Sequence, residues 1–145
     1  VLTVGGLFSG IGGWELGLQR AGMRILWHCE SDPYAQAVLH RHWPHVPCHP
    51  DIRDLHVADV EAVDVLCGGF PCQSVSHNGH GLAQADERWL WPEYARLVRV
   101  LRPRYVLVEN VAALVGRGLG DVLTDLAALR YDTEWDCLRA SDAGA

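Results

Sequence analysis

The glycines that follow the first β-rich run constrain this chain more than any other feature. Leu2 to Phe8 reads as a strand, and Gly10, Gly12 and Gly13 punctuate its end. Ile11, Trp14, Leu18 and Ala21 then recur at helical spacing, up to a stop at Gly22. A strand turning tightly into a helix opens a βαβ unit, and the alternation continues. Arg24 to Glu30 reads as a second strand. Asp32 and Pro33 supply the cap and first residue of a helix reaching about His42. A short third strand is expected near Val46 to Cys48 and a buried one over Val63 to Cys67, before the turn Gly68-Gly69-Phe70-Pro71. After a loop from Ser74 to Arg88, Pro92 starts a helix whose face is Tyr94, Leu97, Val98 and Leu101. Tyr105 to Glu109 is the next strand, Asp121 to Leu129 a helix, and Thr133 to Leu138 a last strand.

This order predicts an α/β fold: a mostly parallel sheet with helices on both faces. The 145 residues fit one domain. In such sheets ligands gather outside the carboxyl ends of the strands, near a switch in strand order. The residues closing the predicted strands are Phe8 with its glycines, Glu30, the Pro71-Cys72 turn and Glu109. All four are expected along one edge.

Composition narrows the class. No apolar run approaches the roughly 18 to 20 residues needed to span a bilayer, and no signal peptide opens the chain, so a cytoplasmic protein without a membrane partner is expected. Five scattered cysteines, an odd number, point to reduced thiols rather than a disulfide framework. The net charge of −6 sets 12 arginines, with no lysine, against 18 acids. A nucleic-acid partner would therefore find most of its phosphate contacts outside these residues, or in a small arginine cluster.

Four groups carry chemistry. Glycines at Gly10, Gly12 and Gly13 let backbone approach a ligand closely. A dinucleotide fingerprint needs a further glycine where Glu15 stands, and a carboxylate there would repel a pyrophosphate. Glu30, 18 residues after Gly12, is placed to accept both hydroxyls of a ribose. Glycine turn and ribose acid without a phosphate clamp suit S-adenosylmethionine better than a nicotinamide dinucleotide, though the same residues also fit a tight turn followed by a surface acid. Cys72, held by Pro71 at a strand end, is the candidate nucleophile, whereas Cys67 reads as a buried structural thiol. Glu109 closes an apolar strand and is suited to hold or deliver a proton, and Asn110 to fix the loop beside it. No metal is expected. Cys67, Cys72, His77 and His80 are irregularly spaced for zinc, and His40, His42, His45, Cys48 and His49 read as a solvated helix end.

Taken together, Phe8-Ser9-Gly10-Ile11-Gly12-Gly13, Glu30, Asp51-Ile52, Gly69-Phe70-Pro71-Cys72-Gln73 and Glu109-Asn110-Val111 resemble the cytosine carbon-5 DNA methyltransferase family in order and spacing over nearly the whole chain. The resemblance implies a Rossmann-like S-adenosylmethionine-dependent methyltransferase sheet and double-stranded DNA as substrate. Phe8 would stack near the adenine, Gly10, Ile11, Gly12 and Gly13 pass under the methionine part, and Glu30 hold the ribose. Asp51, Ile52, Pro71 and Leu90 would complete the cofactor pocket. Cys72 and Glu109 would be catalytic, with Gln73, Ser76, Arg88, Asn110 and Val111 in the substrate loops.

The chain departs from the family in three ways. Asp86-Glu87-Arg88-Trp89-Leu90 has one residue fewer before its leucine than the family pattern. The family continues past Ala145 into an arginine-bearing motif, a target-recognition domain and a closing helix. The chain also begins at Val1 rather than Met. The expectation is a partial catalytic domain over residues 1–145, inactive without its remaining half or a second polypeptide supplying it. Its C-terminal sheet edge should be incomplete, with fraying and an exposed apolar patch. The competing readings are a transfer RNA methyltransferase, an inactive cofactor-binding remnant or subunit and, last, a dehydrogenase.

Overall fold

A computed structural model describes residues 1–71 and 89–144. The described elements are β1 (Thr3–Leu7), α1 (Gly13–Arg20), β2 (Arg24–Cys29), α2 (Pro33–His42), β3 (Cys48–His49), β4 (Val65–Gly68), α3 (Trp91–Leu101), β5 (Tyr105–Val108) and α4 (Leu119–Ala128). Short 3-10 turns cover Val57–Asp59, Ala112–Gly116 and Ala140–Ala143. Among the described residues the five strands form one parallel sheet in the order β3-β2-β1-β4-β5. The chain moves outward from β1 in one direction and then returns to build the other, so the order switches between β1 and β4.

Side chains alternate across the pleat and divide between two cores. On β4, Val65 and Cys67 join Val4 and Ile25 on one face, with Leu18 of α1 against them. Leu66 points the other way, into a larger core with Leu7, Trp27 and the α3 and α4 residues Tyr94, Leu97, Val98, Val122 and Leu126. On β2 the alternation slips, because Val4 pairs with Ile25 but Gly5 with Trp27, leaving Leu26 as an extra residue. Both Leu26 and Trp27 consequently pack in the larger core.

Several elements follow their local chemistry. Asp32 caps α2 by accepting from the Ala35 N–H at 2.8 Å, and Pro33 occupies its first turn. Helix α3 buries Tyr94, Leu97 and Val98, as its spacing predicts. Tyr94 donates its hydroxyl to the Leu66 and Leu107 carbonyls at 3.3 and 3.0 Å, and burial raises its phenol well above the ordinary range, so it remains a donor. The Trp91 indole lies between Phe70 and Tyr94 and donates to Asp125 at 2.8 Å, joining α3 to α4.

Three expectations need correction. Of the stripe Ile11, Trp14, Leu18 and Ala21, only Leu18 packs against a core. Ile11 is 62% exposed and Trp14 38%, while the buried residue of the helix is Glu15. The third strand is Cys48–His49 rather than Val46–Cys48, because the backbone that meets β2 begins at Pro47, whose carbonyl accepts from His28. Thr133 to Leu138 forms no strand. It runs as exposed coil, with Leu138 84% exposed, and β5 is the edge of the sheet among the described residues.

Trp91 is buried among aromatic rings with its N–H engaged. Replacing it with alanine should lower the unfolding free energy by about 3–5 kcal/mol, read as a shifted midpoint in urea.

Candidate active site

Parallel pairing puts four chain segments on one line. Leu7 pairs with both Cys29 and Gly68, and Gly68 with Val108, so these four residues form a row across the sheet. The next residue of each strand is Phe8, Glu30, Gly69 or Glu109. Phe8, Glu30 and Glu109 thus share one edge, which spans the switch between β1 and β4; of the expected Pro71-Cys72 turn, Cys72 lies outside the described residues.

The turn after β1 has a left-handed backbone at three positions: Phe8 (φ 52°), Gly10 (φ 54°) and Gly12 (φ 91°). Glycine adopts this without cost, but phenylalanine does not, and a non-glycine residue held there marks a place where surrounding structure outweighs local strain. Ser9 donates its N–H to the Cys29 carbonyl at 3.1 Å, and the Phe8 ring stacks on Tyr94 at 6.4 Å. Ile11 is exposed, and Gly13 begins α1.

Glu30 is fixed to this turn. One carboxylate oxygen accepts the Gly10 N–H at 2.7 Å and the other the Asp32 N–H at 2.8 Å. Its carbonyl accepts from the Gln36 side chain at 2.6 Å, and its N–H donates to the His49 carbonyl. The acid is thus held in one orientation with acceptor capacity to spare.

At the other end of the row, Glu109 donates its N–H to the Gly68 carbonyl at 3.1 Å and folds its side chain over Gly69. Asn110 joins the two strand ends: its amide donates to the Phe70 carbonyl at 3.0 Å and its oxygen accepts the Val111 N–H at 2.9 Å. Phe70 is buried against Trp89 and Trp91, and Pro71 is half-buried beside it. Glu109 also shares a cleft of about 410 Å³ with Gly13, Trp14, Gly17 and Leu18 of α1.

Cys72, Gln73, Ser76 and Arg88, with the expected loop from Ser74, lie outside the described residues. Asp51 is half-exposed and held by Arg53, whose guanidinium and backbone N–H keep its carboxyl below the usual range. The Ile52 side chain belongs to the core, and its carbonyl accepts from Arg96 at 2.8 Å. Leu90 precedes α3 and packs half-buried on the same core. Glu15 does not stand where its carboxylate would meet a bound phosphate. It is fully buried beneath the turn, beside His28, and sequence spacing carried no signal of this.

Two of the described cysteines, Cys67 and Cys29, are unsuited to act as a nucleophile. Cys67 is buried against the Gly5 carbonyl, and desolvation drives its thiol far upward. Burial pushes Cys29 up to about 12, with Cys48, Asp51 and Glu30 adding to the effect.

Compared with known proteins, residues 2–145 match the family model for C-5 cytosine-specific DNA methylases. The Type II methyltransferase M.Bsp6I from Bacillus sp. (strain RFL6) is 32% identical, over 99% of this chain and 48% of its own length. M.HhaI from Haemophilus parahaemolyticus is 33% identical, over 95% and 43%. The chain spans less than half the length of these relatives. A crystal structure described as a DNA modification methyltransferase of an E. coli prophage matches with a TM-score of 0.71 at 26% identity, covering 89% of this chain and 37% of its own. A Spodoptera frugiperda DNMT2 variant also scores 0.71, at 23% identity over 89% and 41%, and shows the fold alone. These likenesses give no support to a second polypeptide. No helix among the described residues is long and apolar enough to cross a membrane.

Two outcomes follow for the described residues. With iodoacetamide at pH 8, exposed Cys137 should be modified in the native chain while Cys29 and Cys67 react only after unfolding, as mass spectrometry would show. A Gly69→Ala methyl would lie 2.4 Å from a Glu109 carboxylate oxygen, so that variant should displace the Glu109 side chain. The accompanying loss of stability should be about 1–3 kcal/mol, with the movement visible in its carboxyl NMR resonance.

Proposed function

The chain belongs to the C-5 cytosine-specific DNA methylase family, and from that premise we propose that it forms the cofactor-binding and nucleophile-bearing part of an enzyme that methylates carbon-5 of cytosine in DNA. The observation that carries this is the shared row, in which Asn110 bonds the turn leading to Cys72 to the strand end bearing Glu109, with the glycine turn two strands from Glu109 and Glu30 three.

S-Adenosylmethionine fits the first half of the row. A carboxylate already oriented by two backbone N–H groups has lone pairs left for the ribose hydroxyls, Phe8 offers a half-buried ring to a purine, and Gly10 to Gly13 present backbone without bulk. Ile11, Asp51, Pro71, Leu90 and the backbone of Ile52 are assigned to the remaining contacts. When bound, the cofactor supplies an electrophilic methyl group.

The second half of the row acts on the base. A cytosine must leave the stack before its ring can be attacked. The Cys72 sulfur adds to carbon-6, while Glu109 engages ring nitrogen 3 and meets the charge that develops there. Addition makes carbon-5 electron-rich, so that it would accept the cofactor's methyl group as the carbon–sulfonium bond breaks and a neutral thioether leaves. Loss of the carbon-5 proton to a base, and of Cys72 from carbon-6, restores the aromatic ring. Asn110 and Val111 hold the Glu109 end, and Gln73, Ser76 and Arg88 belong to the substrate loop. Because the chain is acidic overall, DNA phosphates are met mainly by surface beyond it, as the greater length of its relatives allows.

Calorimetric titration with S-adenosylmethionine should show binding that Glu30→Ala weakens by at least about ten-fold, roughly 1.4 kcal/mol, with NAD as a non-binding control. An enzyme carrying this sequence together with the remaining length of its relatives should transfer labelled methyl to duplex DNA and not to transfer RNA. Cys72→Ser should abolish that transfer. Equal binding of NAD, or indifference to Glu30→Ala, would remove the cofactor assignment.

A further inference from the structure

Beneath the glycine turn lies a polar cluster that the proposed chemistry does not use. Glu15 of α1 and His28 of β2 are both fully buried, with the imidazole Nδ1 3.4 Å from Oε1 of Glu15, within hydrogen-bond reach. Oε2 of Glu15, Nε2 of His28 and Oγ of Ser9 are also buried, without a hydrogen-bond partner among the described residues. A methyl group on Gly6 would meet Oε1 of Glu15 at 2.0 Å and Oγ of Ser9 at 2.7 Å, so both oxygens occupy the space above one β1 residue. On its other side His28 packs against the Trp43 ring at 5.3 Å. Trp43 in turn fills the space under Gly12, where an added methyl would lie 2.5 Å from the ring, and donates its N–H to Gln19 of α1 at 3.0 Å. The cluster therefore touches the turn at Ser9 and Gly12, and the helix at Glu15 and Gln19.

Little else holds α1 in its rotation. Ile11, Trp14 and Leu16 are exposed, Leu18 is half-buried, and the capping residue Gly12 offers no side-chain cap. Stability does not explain the pair, since apolar residues of similar volume commonly replace a buried polar pair at no cost or with a gain. Directional contacts depend on angle as well as distance, and so add to the packing of Leu18 a restraint on the helix about its own axis. The backbone N–H groups of Gly10 to Gly13 turn with it. We infer that Glu15 and His28 are positioning residues for the nucleotide, setting the direction of the glycine turn relative to the Glu30 carboxylate from below while the Gly10–Glu30 hydrogen bond sets it from above.

The inference rests on the cofactor being bound at this turn, and its test separates the two. Glu15→Met/His28→Leu and Glu15→Gln would be compared with the unaltered chain by urea unfolding, by calorimetry with S-adenosylmethionine and by amide exchange without ligand. The double variant should unfold at an unchanged or higher urea midpoint, yet bind about ten-fold or more weakly, since small misplacements of binding groups carry penalties of that order. The amides of Gly10, Gly12 and Gly13 should exchange about ten-fold faster while those of β1 are unchanged. Glu15→Gln, which keeps shape and a hydrogen-bonding oxygen, should return affinity to within about three-fold. A double variant that is unfolded, or that folds with unchanged turn exchange, would overturn the inference by leaving the pair a merely structural role. If the unaltered chain does not bind S-adenosylmethionine, the cofactor assignment fails by itself, and the exchange data still decide whether the pair holds the turn.

Discussion

Everything at the site depends on β1 being paired on both sides in parallel. Because Leu7 meets Cys29 on one flank and Gly68 on the other, the strand ends cannot stagger, and residues from distant parts of the sequence reach one line. The residues of β1 suit this central place. Val4 and Leu7 are fully buried, while Gly5 and Gly6 leave room that a side chain would close. An added methyl on Gly5 would lie 2.2 Å from the Trp27 ring, and one on Gly6 would run into Glu15. A strand hemmed in on both edges and both faces is a rigid base from which to aim a turn.

What the sequence revealed, and what it concealed, follows from how local each determinant is. Asp32-Pro33 starts α2 as expected because capping needs only the adjacent residues. The α3 face reads correctly because its apolar spacing and its burial agree. On α1 they disagree: apolar residues recur at helical spacing, but the side facing the sheet carries Glu15, and periodicity ranks hydrophobicity without knowing which polar groups will find partners. Thr133 to Leu138 has strand-like composition, yet a strand exists only through a neighbour, and among the described residues this segment has none. β3 is two residues long, too short for any pattern to place its ends.

Part of the shared edge was legible for a related reason. Glu30 and Glu109 are each read from the end of a strand, and parallel topology turns that local fact into a spatial one. Hydrogen-bond partners were less accessible. Asn110 was expected to bond within its own loop, and it does so to Val111, but its second bond crosses to Phe70, 40 residues earlier. Asp51 and Ile52 sit side by side in sequence, whereas one is tied to Arg53 at the surface and the other lies in the core. Nothing local separates two neighbours into those fates; the packing of α3, through Arg96, does.

The placement of β1 also has a consequence in time. Its first partner, β2, follows within about twenty residues, but its second, β4, pairs Val4 with Val65, and β5 must then join the far side of β4. During synthesis β1 is therefore central only in prospect, and one hydrogen-bonding edge stays unsatisfied until the chain has lengthened several-fold. Such late, non-local closure slows folding and leaves a template on which wrong strands can add. The arrangement that gathers the reacting groups onto one line is thus also one that an emerging chain completes late.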